Sequence, residues 1–145
     1  MSRLILVKHS VPDIVPAVPP SQWRLSEAGR DRCTVLADRL AEYHPDVIVA
    51  SAEPKAAETA RIVADVLGKP LEDCEELHEH DRSEAIVESH QVETVAIVTH
   101  GTVMALYVAR AAALDPFPLW KRLGTPAFVV LSLPERRILT VVEHI

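Results

Sequence analysis

Short apolar runs of strand length alternate with longer segments of helical periodicity along most of this 145-residue chain. Buried-strand patterns occur at residues 3–8, 46–51 and 94–100, and the segments between them place apolar residues on one helical face. This alternation is typical of α/β domains with a mainly parallel sheet. We therefore expect a three-layer α/β/α sandwich, in which helices cover both faces of the sheet. A chain of 145 residues buries one substantial core, so we treat residues 1–145 as a single domain.

Local signals predict the bounds of the other elements. Ser26 is a good N-cap for a helix that runs to about Tyr43. Pro54 suits the first turn of a second helix, which Gly68 would end. Four prolines within residues 11–22 exclude a helix there and predict a stiff loop. Further expected elements are a short strand at 70–74, a loop or short helix at 75–93, a helix from about 102 to 113, and a terminal hairpin around 134–137.

Charge and cysteine content limit the class of protein. The net charge of −6 argues against a surface built to hold nucleic acid or anionic lipid, so any anion site must be a local pocket. Cys33 and Cys74 have neither disulfide-scaffold nor zinc-ligand spacing, which fits a reducing compartment. The N-terminal apolar run, residues 4–7, is too short for a signal peptide or membrane span. We expect a soluble cytoplasmic protein without nucleic-acid or membrane partners.

Two histidines stand where apolar strands end. His9 follows the run at residues 3–8, and His100 ends the run at 94–100. In open α/β sheets, ligands bind beyond the carboxyl ends of strands, so we expect the two rings to face each other across one site. A helix starting near Thr102 would add amides and a positive dipole end, while small residues after each histidine, Ser10 and Gly101, would let a ligand approach the backbone. These features predict an anion site, and phosphate in particular.

Five stretches occur in the order of a known family. They are "VKHS" at its first strand end, "LSEAG" at 25–29, "SAEPKAAETA" at 51–60, "LHE" at 77–79, and "VTHGT" at the second strand end. In this order the sequence resembles a compact member of the histidine phosphatase superfamily, which has the phosphoglycerate mutase-like fold. The resemblance extends over nearly the whole chain.

The resemblance implies a metal-independent phosphatase that needs no cofactor. His9 would be the nucleophile that becomes a phosphohistidine, since a neutral imidazole is nucleophilic near pH 7. His100 would donate a hydrogen bond to the phosphoryl oxygens. Glu79 would protonate the leaving oxygen and later accept a proton from the attacking water. Lys8 and Lys55 stand where the family has two phosphate-clamping arginines.

Those two lysines open an alternative. Arginine grips two phosphate oxygens with a planar fork, whereas lysine provides a point charge on a flexible stem. Ser10 also replaces the family's usual glycine, and Val15 stands where many members have a polar phosphate ligand. Because phosphoryl transfer depends on positioning and charge, the alternative is a catalytically weak or inactive member that binds a phosphorylated ligand.

Two further alternatives concern chemistry. A mutase must exclude water, which larger members achieve with long insertions, yet only fourteen residues separate Glu79 from Thr94. An open site favours hydrolysis of a small phosphorylated molecule or of a phosphoprotein, including phosphohistidine.

A zinc site could use "HEH" at 78–80 with His9 and His100, but adjacent residues of a strand point to opposite faces. We therefore expect no metal site; the sequence gives no prediction of oligomeric state.

Overall fold

One six-stranded mixed sheet runs through the protein in the order β3-β2-β4-β1-β5-β6. The structure, a computed structural model, describes residues 2–74, 80–90 and 93–145. For residues 74 and 80–83 it describes the backbone and not the side chains. The strands are β1 (Arg3–Lys8), β2 (Val47–Ser51), β3 (Leu71–Cys74), β4 (Val95–Thr99), β5 (Ala127–Ser132) and β6 (Ile138–Val142). The helices are α1 (Glu27–Ala41), α2 (Pro54–Leu67), α3 (His80–Ser89), α4 (Gly101–Ala112) and α5 (Pro116–Arg122). A 3₁₀ turn, Pro20–Gln22, interrupts the proline-rich loop that the sequence predicts to be free of helix.

Strand β1 lies at the centre of the sheet and is buried on both faces. It pairs in parallel with β4 and antiparallel with β5. Leu4 and Leu6 belong to the core that α3, α4 and α5 cover, whereas Ile5 and Val7 belong to the core that α1 and α2 cover. This continuous apolar run follows from burial on both faces, which favours unbroken aliphatic sequence over alternation. The predicted α/β/α sandwich is confirmed.

Helix ends follow the predicted signals. The Ser26 side chain accepts a hydrogen bond from Gly29 N at the start of α1. Pro54 occupies the first turn of α2, and Gly68 ends it in the left-handed conformation, with φ of 65°. A residue with a Cβ is disfavoured at such a φ, which explains glycine there. None of the described helices is long and apolar enough to cross a bilayer.

The fold forms a crevice between the carboxyl ends of β1 and β4. These two strands are parallel neighbours, with Lys8 opposite Thr99 in the register. The helix that follows β1 packs on one face of the sheet, and the helix that follows β4 packs on the other. Because the two connections leave in opposite directions, their loops separate at this end of the sheet, which is where open α/β sheets bind ligands.

Candidate active site

His9 and His100 lie on opposite sides of the crevice. His9 follows β1, and its backbone N–H donates to the carbonyl of Thr99, 3.1 Å away. The two imidazole rings are 6.3 Å apart between centroids and nearly perpendicular, at 78°. The structure thus brings together the two histidines that the sequence predicts to share a site.

The His9 ring is buried and oriented by the backbone. Its Nδ1 lies 2.8 Å from the carbonyl oxygen of Ser10. Burial lowers the pKa of His9 to about 4; the Ser10 hydrogen bond opposes this shift, and the positive charges of Lys55, His100 and Lys8 add to it. His9 is therefore a neutral imidazole near pH 7.

Lys55 reaches the crevice from the first turn of α2. Only 8% of the residue is exposed, and its Nζ donates to the carbonyl of Pro20 at 2.9 Å. The same Nζ lies 5.8 Å from the centre of the Trp23 ring. Trp23 itself is fixed by its indole N–H, which donates to carbonyls of the proline-rich loop. Trp23 therefore borders both the proline-rich loop and the lysine.

Lys8 approaches the crevice from the opposite face of the sheet. Its Nζ donates to the carbonyl of Leu123 at 3.2 Å, and burial lowers its pKa. Gly101, the first residue of α4, lies beside the lysine stem, since a Cβ at Gly101 would be 3.3 Å from Lys8 Cε. Glycine thus lets α4 begin directly against the site.

Glu53 is the site residue that sequence reasoning missed. Its Oε2 lies 3.1 Å from His100 Nδ1 and 3.8 Å from Lys55 Nζ. The sequence gives part of the signal, because Glu53 follows the carboxyl end of the predicted strand β2; the pairing of β2 with β4, which brings it to the site, comes from the structure. Lys8, His9, Glu53, Lys55 and His100 are called the active-site cluster below.

Ser10, a predicted phosphate ligand, makes its hydrogen bonds inside the protein in this structure. It is fully buried, its N–H donates to Thr59 Oγ1 at 3.0 Å, and its hydroxyl donates to the Gly29 carbonyl at 2.7 Å. Both hydrogens are therefore already used inside the protein. Ser10 connects the end of β1 to α1 and α2, and its carbonyl oxygen lies 2.8 Å from His9 Nδ1. Its role towards phosphate stays a prediction.

The side chain of Thr102, another predicted phosphate ligand, faces a different surface. It is exposed and lines an apolar groove between α4 and α5. The groove has a volume of about 210 Å³. The other lining residues are Ala105, Leu106, Pro116, Phe117 and Trp120. What Thr102 and Gly101 can offer the crevice is their backbone N–H groups at the N-terminus of α4, and that role stays a prediction.

The predicted acid Glu79 lies outside the residues that the structure describes. The same holds for His78 of the "HEH" stretch, while His80 begins α3 and its side chain is not described. Among the described residues, no group of three or more His, Cys, Asp or Glu side chains could hold a metal ion.

Comparison with known proteins gives one family match. Residues 18–85 match the model of the histidine phosphatase superfamily, branch 1. The matched segment contains the stretches at 25–29, 51–60 and 77–79, but neither His9 nor His100. No curated protein matches the sequence significantly.

Several solved structures share the whole fold at low sequence identity. The protein histidine phosphatase SixA, solved with tungstate, has a TM-score of 0.83 and 18% identity, over 97% of this chain and 96% of that chain. A mycobacterial glucosyl-3-phosphoglycerate phosphatase, solved with VO3, has a TM-score of 0.81 and 19% identity, over 100% of both chains. A phosphoserine phosphatase from Entamoeba histolytica, solved with 3-phosphoglyceric acid, has a TM-score of 0.81 and 14% identity, over 99% and 98%.

These likenesses complement one another, since the family match covers the central residues and the shared fold includes both histidine-bearing strand ends. The chain is thus similar to the histidine phosphatase superfamily over residues 18–85, slightly less than half of its length, and it shares its fold with the solved structures over nearly the whole length.

Proposed function

We propose that the protein is a metal-independent phosphatase that hydrolyses phosphomonoesters through a phosphohistidine intermediate on His9. The observation that carries this proposal is the contact between His9 Nδ1 and the carbonyl oxygen of Ser10. A carbonyl oxygen only accepts hydrogen bonds, so the 2.8 Å contact with Ser10 places the proton on Nδ1. Nε2 then holds the lone pair, and the pKa of about 4 keeps it unprotonated at neutral pH. A buried neutral imidazole of this kind is a competent nucleophile.

The surrounding cations suit a phosphoryl group. Lys55, His100 and Lys8 each act electrostatically on His9, so their charges also reach a group bound at its Nε2. The α4 N-terminus adds its positive dipole end at Gly101. Phosphoryl transfer proceeds with charge on three equatorial oxygens, and stabilisation of that charge is the main work of the protein.

The proposed reaction has two balanced steps. In the first, the Nε2 lone pair of His9 forms a bond to phosphorus while the ester P–O bond breaks, and the leaving oxygen takes a proton. In the second, water attacks phosphorus, the P–N bond breaks, and the water gives up a proton as orthophosphate forms. Glu79 is the predicted donor and acceptor of those protons.

The substrate is proposed as a small phosphorylated molecule or a phosphoprotein, including phosphohistidine. This range follows the structural relatives, which are described as phosphatases of protein histidine, glucosyl-3-phosphoglycerate and phosphoserine. Their identity to this chain, at most 19% among these three, supports the class of reaction and leaves the choice within the range to experiment.

The first experiment measures hydrolysis of p-nitrophenyl phosphate, with and without a chelator, by wild type, His9→Ala and His90→Ala. His90 is a matched control because it is a histidine that pairs with Glu72 outside the active-site cluster. We expect chelator-resistant turnover that the His9 variant loses and the His90 variant keeps. Alkaline quenching after a short reaction should trap acid-labile phosphate on His9, as expected for a P–N bond. Turnover that persists in His9→Ala would disprove the proposal.

A second candidate is a domain that binds a phosphorylated ligand with little turnover. The observation that favours it is that both lysines donate to backbone carbonyls, Lys8 to Leu123 and Lys55 to Pro20. The test is turnover by Lys8→Arg and Lys55→Arg. A large gain indicates a degraded catalytic site, whereas unchanged or lower turnover supports a site that already works with lysine.

A further inference from the structure

A carboxylate inside a phosphate site requires an explanation, because it repels the ligand. Glu53 Oε2 is buried, and it lies 3.1 Å from His100 Nδ1. The two atoms are within hydrogen-bond distance, although the N–H···O alignment is not met, and no described group supplies an aligned donor to this oxygen. A buried carboxylate oxygen without an aligned donor is costly, so its position beside His100 points to a role there.

Glu53 is the negative member of a positive neighbourhood. Among the described residues, the His9 ring lies 6.3 Å from the His100 ring, and Glu53 Oε2 lies 3.1 Å from His100 Nδ1. Lys55 Nζ lies 3.8 Å from the same carboxylate oxygen, and the Lys8 stem lies beside Gly101, the residue after His100. The two lysine charges oppose a charged His100 ring. Within this set, Glu53 is the group that favours the imidazolium form.

The protonation of His100 decides whether it can donate to a phosphoryl oxygen. A neutral imidazole carries a hydrogen on one nitrogen only, whereas the imidazolium carries one on each. When Nδ1, the ring nitrogen next to Glu53, carries a proton, Nε2 can be a donor only in the charged form. A carboxylate that orients one ring nitrogen so that the other can act on a ligand is a well-attested arrangement for histidine.

The same carboxylate also affects Lys55. Its Nζ has three hydrogens; one is donated to the Pro20 carbonyl at 2.9 Å, and Glu53 Oε2 lies 3.8 Å away. Together these oxygens restrict the rotation of an ammonium that otherwise has no preferred orientation. The planar fork of an arginine would provide that orientation by itself.

We propose that Glu53 is a positioning residue of the phosphatase site, which holds His100 as an imidazolium whose Nε2–H donates to the phosphoryl oxygens of a bound ligand, and which restrains the Lys55 ammonium. This inference rests on the proposed function, since it assigns His100 and Lys55 to phosphoryl binding. It explains why a negative side chain lies in an anion site: its attraction orients two donors.

The test compares wild type with Glu53→Gln and Glu53→Asp. Glutamine keeps the size of the side chain and removes the charge, whereas aspartate keeps the charge. The readouts are the pH titration of the His100 ring by NMR of histidine-labelled protein without ligand, and the dissociation constant for inorganic phosphate at pH 7. The matched control is Glu72→Gln, because Glu72 Oε2 lies 3.2 Å from His90 Nε2 outside the active-site cluster.

In Glu53→Gln we expect the midpoint of the His100 titration to fall by about one pH unit. Phosphate binding should weaken about tenfold with the loss of a charge-assisted donor, and Glu53→Asp should restore most of it. Glu72→Gln should change the titration of His90 and leave phosphate binding unchanged.

Two results would overturn the inference. One is an unchanged His100 titration in Glu53→Gln. The other is phosphate binding that is equal or tighter in Glu53→Gln, as simple removal of a repulsive charge would produce. Both are read without turnover, so they are distinct from failure of the proposed function, which would show as turnover that survives His9→Ala.

Discussion

Partly buried charged side chains cluster at two opposite ends of the sheet strands, and the charges of the two clusters are balanced differently. At the end opposite the crevice, Glu84, Tyr107 and Arg136 form what we call the Glu84 cluster. The Tyr107 hydroxyl donates to Glu84 Oε2 at 2.8 Å, and Arg136 Nε donates to the Tyr107 oxygen at 3.0 Å. Arg136 also pairs with Glu84. Each acceptor thus has a donor of complementary charge.

The active-site cluster combines Lys8, Lys55, His9 and His100 with the single carboxylate of Glu53. The two lysines of this cluster donate hydrogen bonds to backbone carbonyls. The positive charges of the cluster help lower the pKa of His9. In the Glu84 cluster, by contrast, burial and Glu84 raise the pKa of Tyr107 to about 12, so the phenol stays a neutral donor.

Under the proposed function, this difference in charge balance separates a structural cluster from a ligand-binding one. A buried polar group that has complementary partners within the chain stabilises the fold, and removing one partner leaves another uncompensated. A buried group of excess charge has its complement in a ligand. Burial alone would assign both clusters the same role, whereas the balance of charge assigns them opposite ones.

The largest expected effect is on turnover, from His9→Asn. Asparagine can still donate to the Ser10 carbonyl but has no nucleophilic nitrogen, so we expect kcat/KM for p-nitrophenyl phosphate to fall by about a thousandfold or more. The free energy of unfolding at pH 7 should change by less than about 1 kcal/mol, because the residue contributes a ligand site and not a charge pair. Parallel measurement of turnover and urea unfolding checks both. Retained turnover with lost stability would place His9 among the structural residues.

The next effect is a loss of stability in acid. The pKa of His9 is about 4 in the folded protein and near 6.5 in an unfolded chain, so between these values the unfolded state binds more protons. Stability from this group is therefore complete above pH 6.5 and falls with pH until about pH 4, by about 3 kcal/mol.

His9→Asn supplies the control for this acid effect, since it lacks the titrating ring. Urea unfolding at pH 7 and pH 4 gives the loss for each protein, and the wild type should lose about 3 kcal/mol more than the variant. Equal losses would mean that the His9 ring accepts a proton in the folded state without penalty.

The fold was predictable because its signals are local. The apolar runs, the Ser26 cap, and the Pro54 and Gly68 bounds of α2 depend on near neighbours in sequence. Helix α5 (Pro116–Arg122) was not predicted, since two prolines in seven residues usually indicate a loop. Both prolines lie in the first turn, where backbone N–H groups have no intrahelical partner, and Asp115 caps the helix.

The candidate site was predictable only where strand ends determine it. His9 and His100 follow neighbouring parallel strands, so their proximity follows from the sheet. Glu53 depends on β2 pairing with β4, a strand order that the sequence does not reveal. The acceptors for Ser10 are Gly29 on α1 and Thr59 on α2, 19 and 49 residues away in sequence. The sequence alone does not reveal that both helices pack close enough to accept its hydrogen bonds.

A smaller effect is expected from Arg136→Met in the Glu84 cluster. Methionine removes the guanidinium and leaves Glu84 partly buried without its cation, which should lower the free energy of unfolding by about 2 kcal/mol. Arg136 has φ of 58°, and methionine, unlike glycine, leaves that backbone preference unchanged. Arg137→Met, at an exposed neighbour, is the control. Turnover should stay within about twofold of wild type; a loss of turnover without loss of stability would remove the distinction between the clusters.

The smallest expected effect is from Tyr107→Phe. The ring is fully buried in the core under α4, so phenylalanine keeps the packing and removes only the hydroxyl. Glu84 then loses one donor but keeps Arg136, and we expect a loss of about 1 kcal/mol in urea unfolding. Glu84 keeps Arg136 as a partner in Tyr107→Phe, and it keeps Tyr107 as a partner in Arg136→Met. The double variant has neither partner, so its free energy of unfolding should fall by more than the sum of the two single losses. Simple additivity would show that the three groups act separately, and the Glu84 cluster would then no longer serve as the balanced counterpart of the active site.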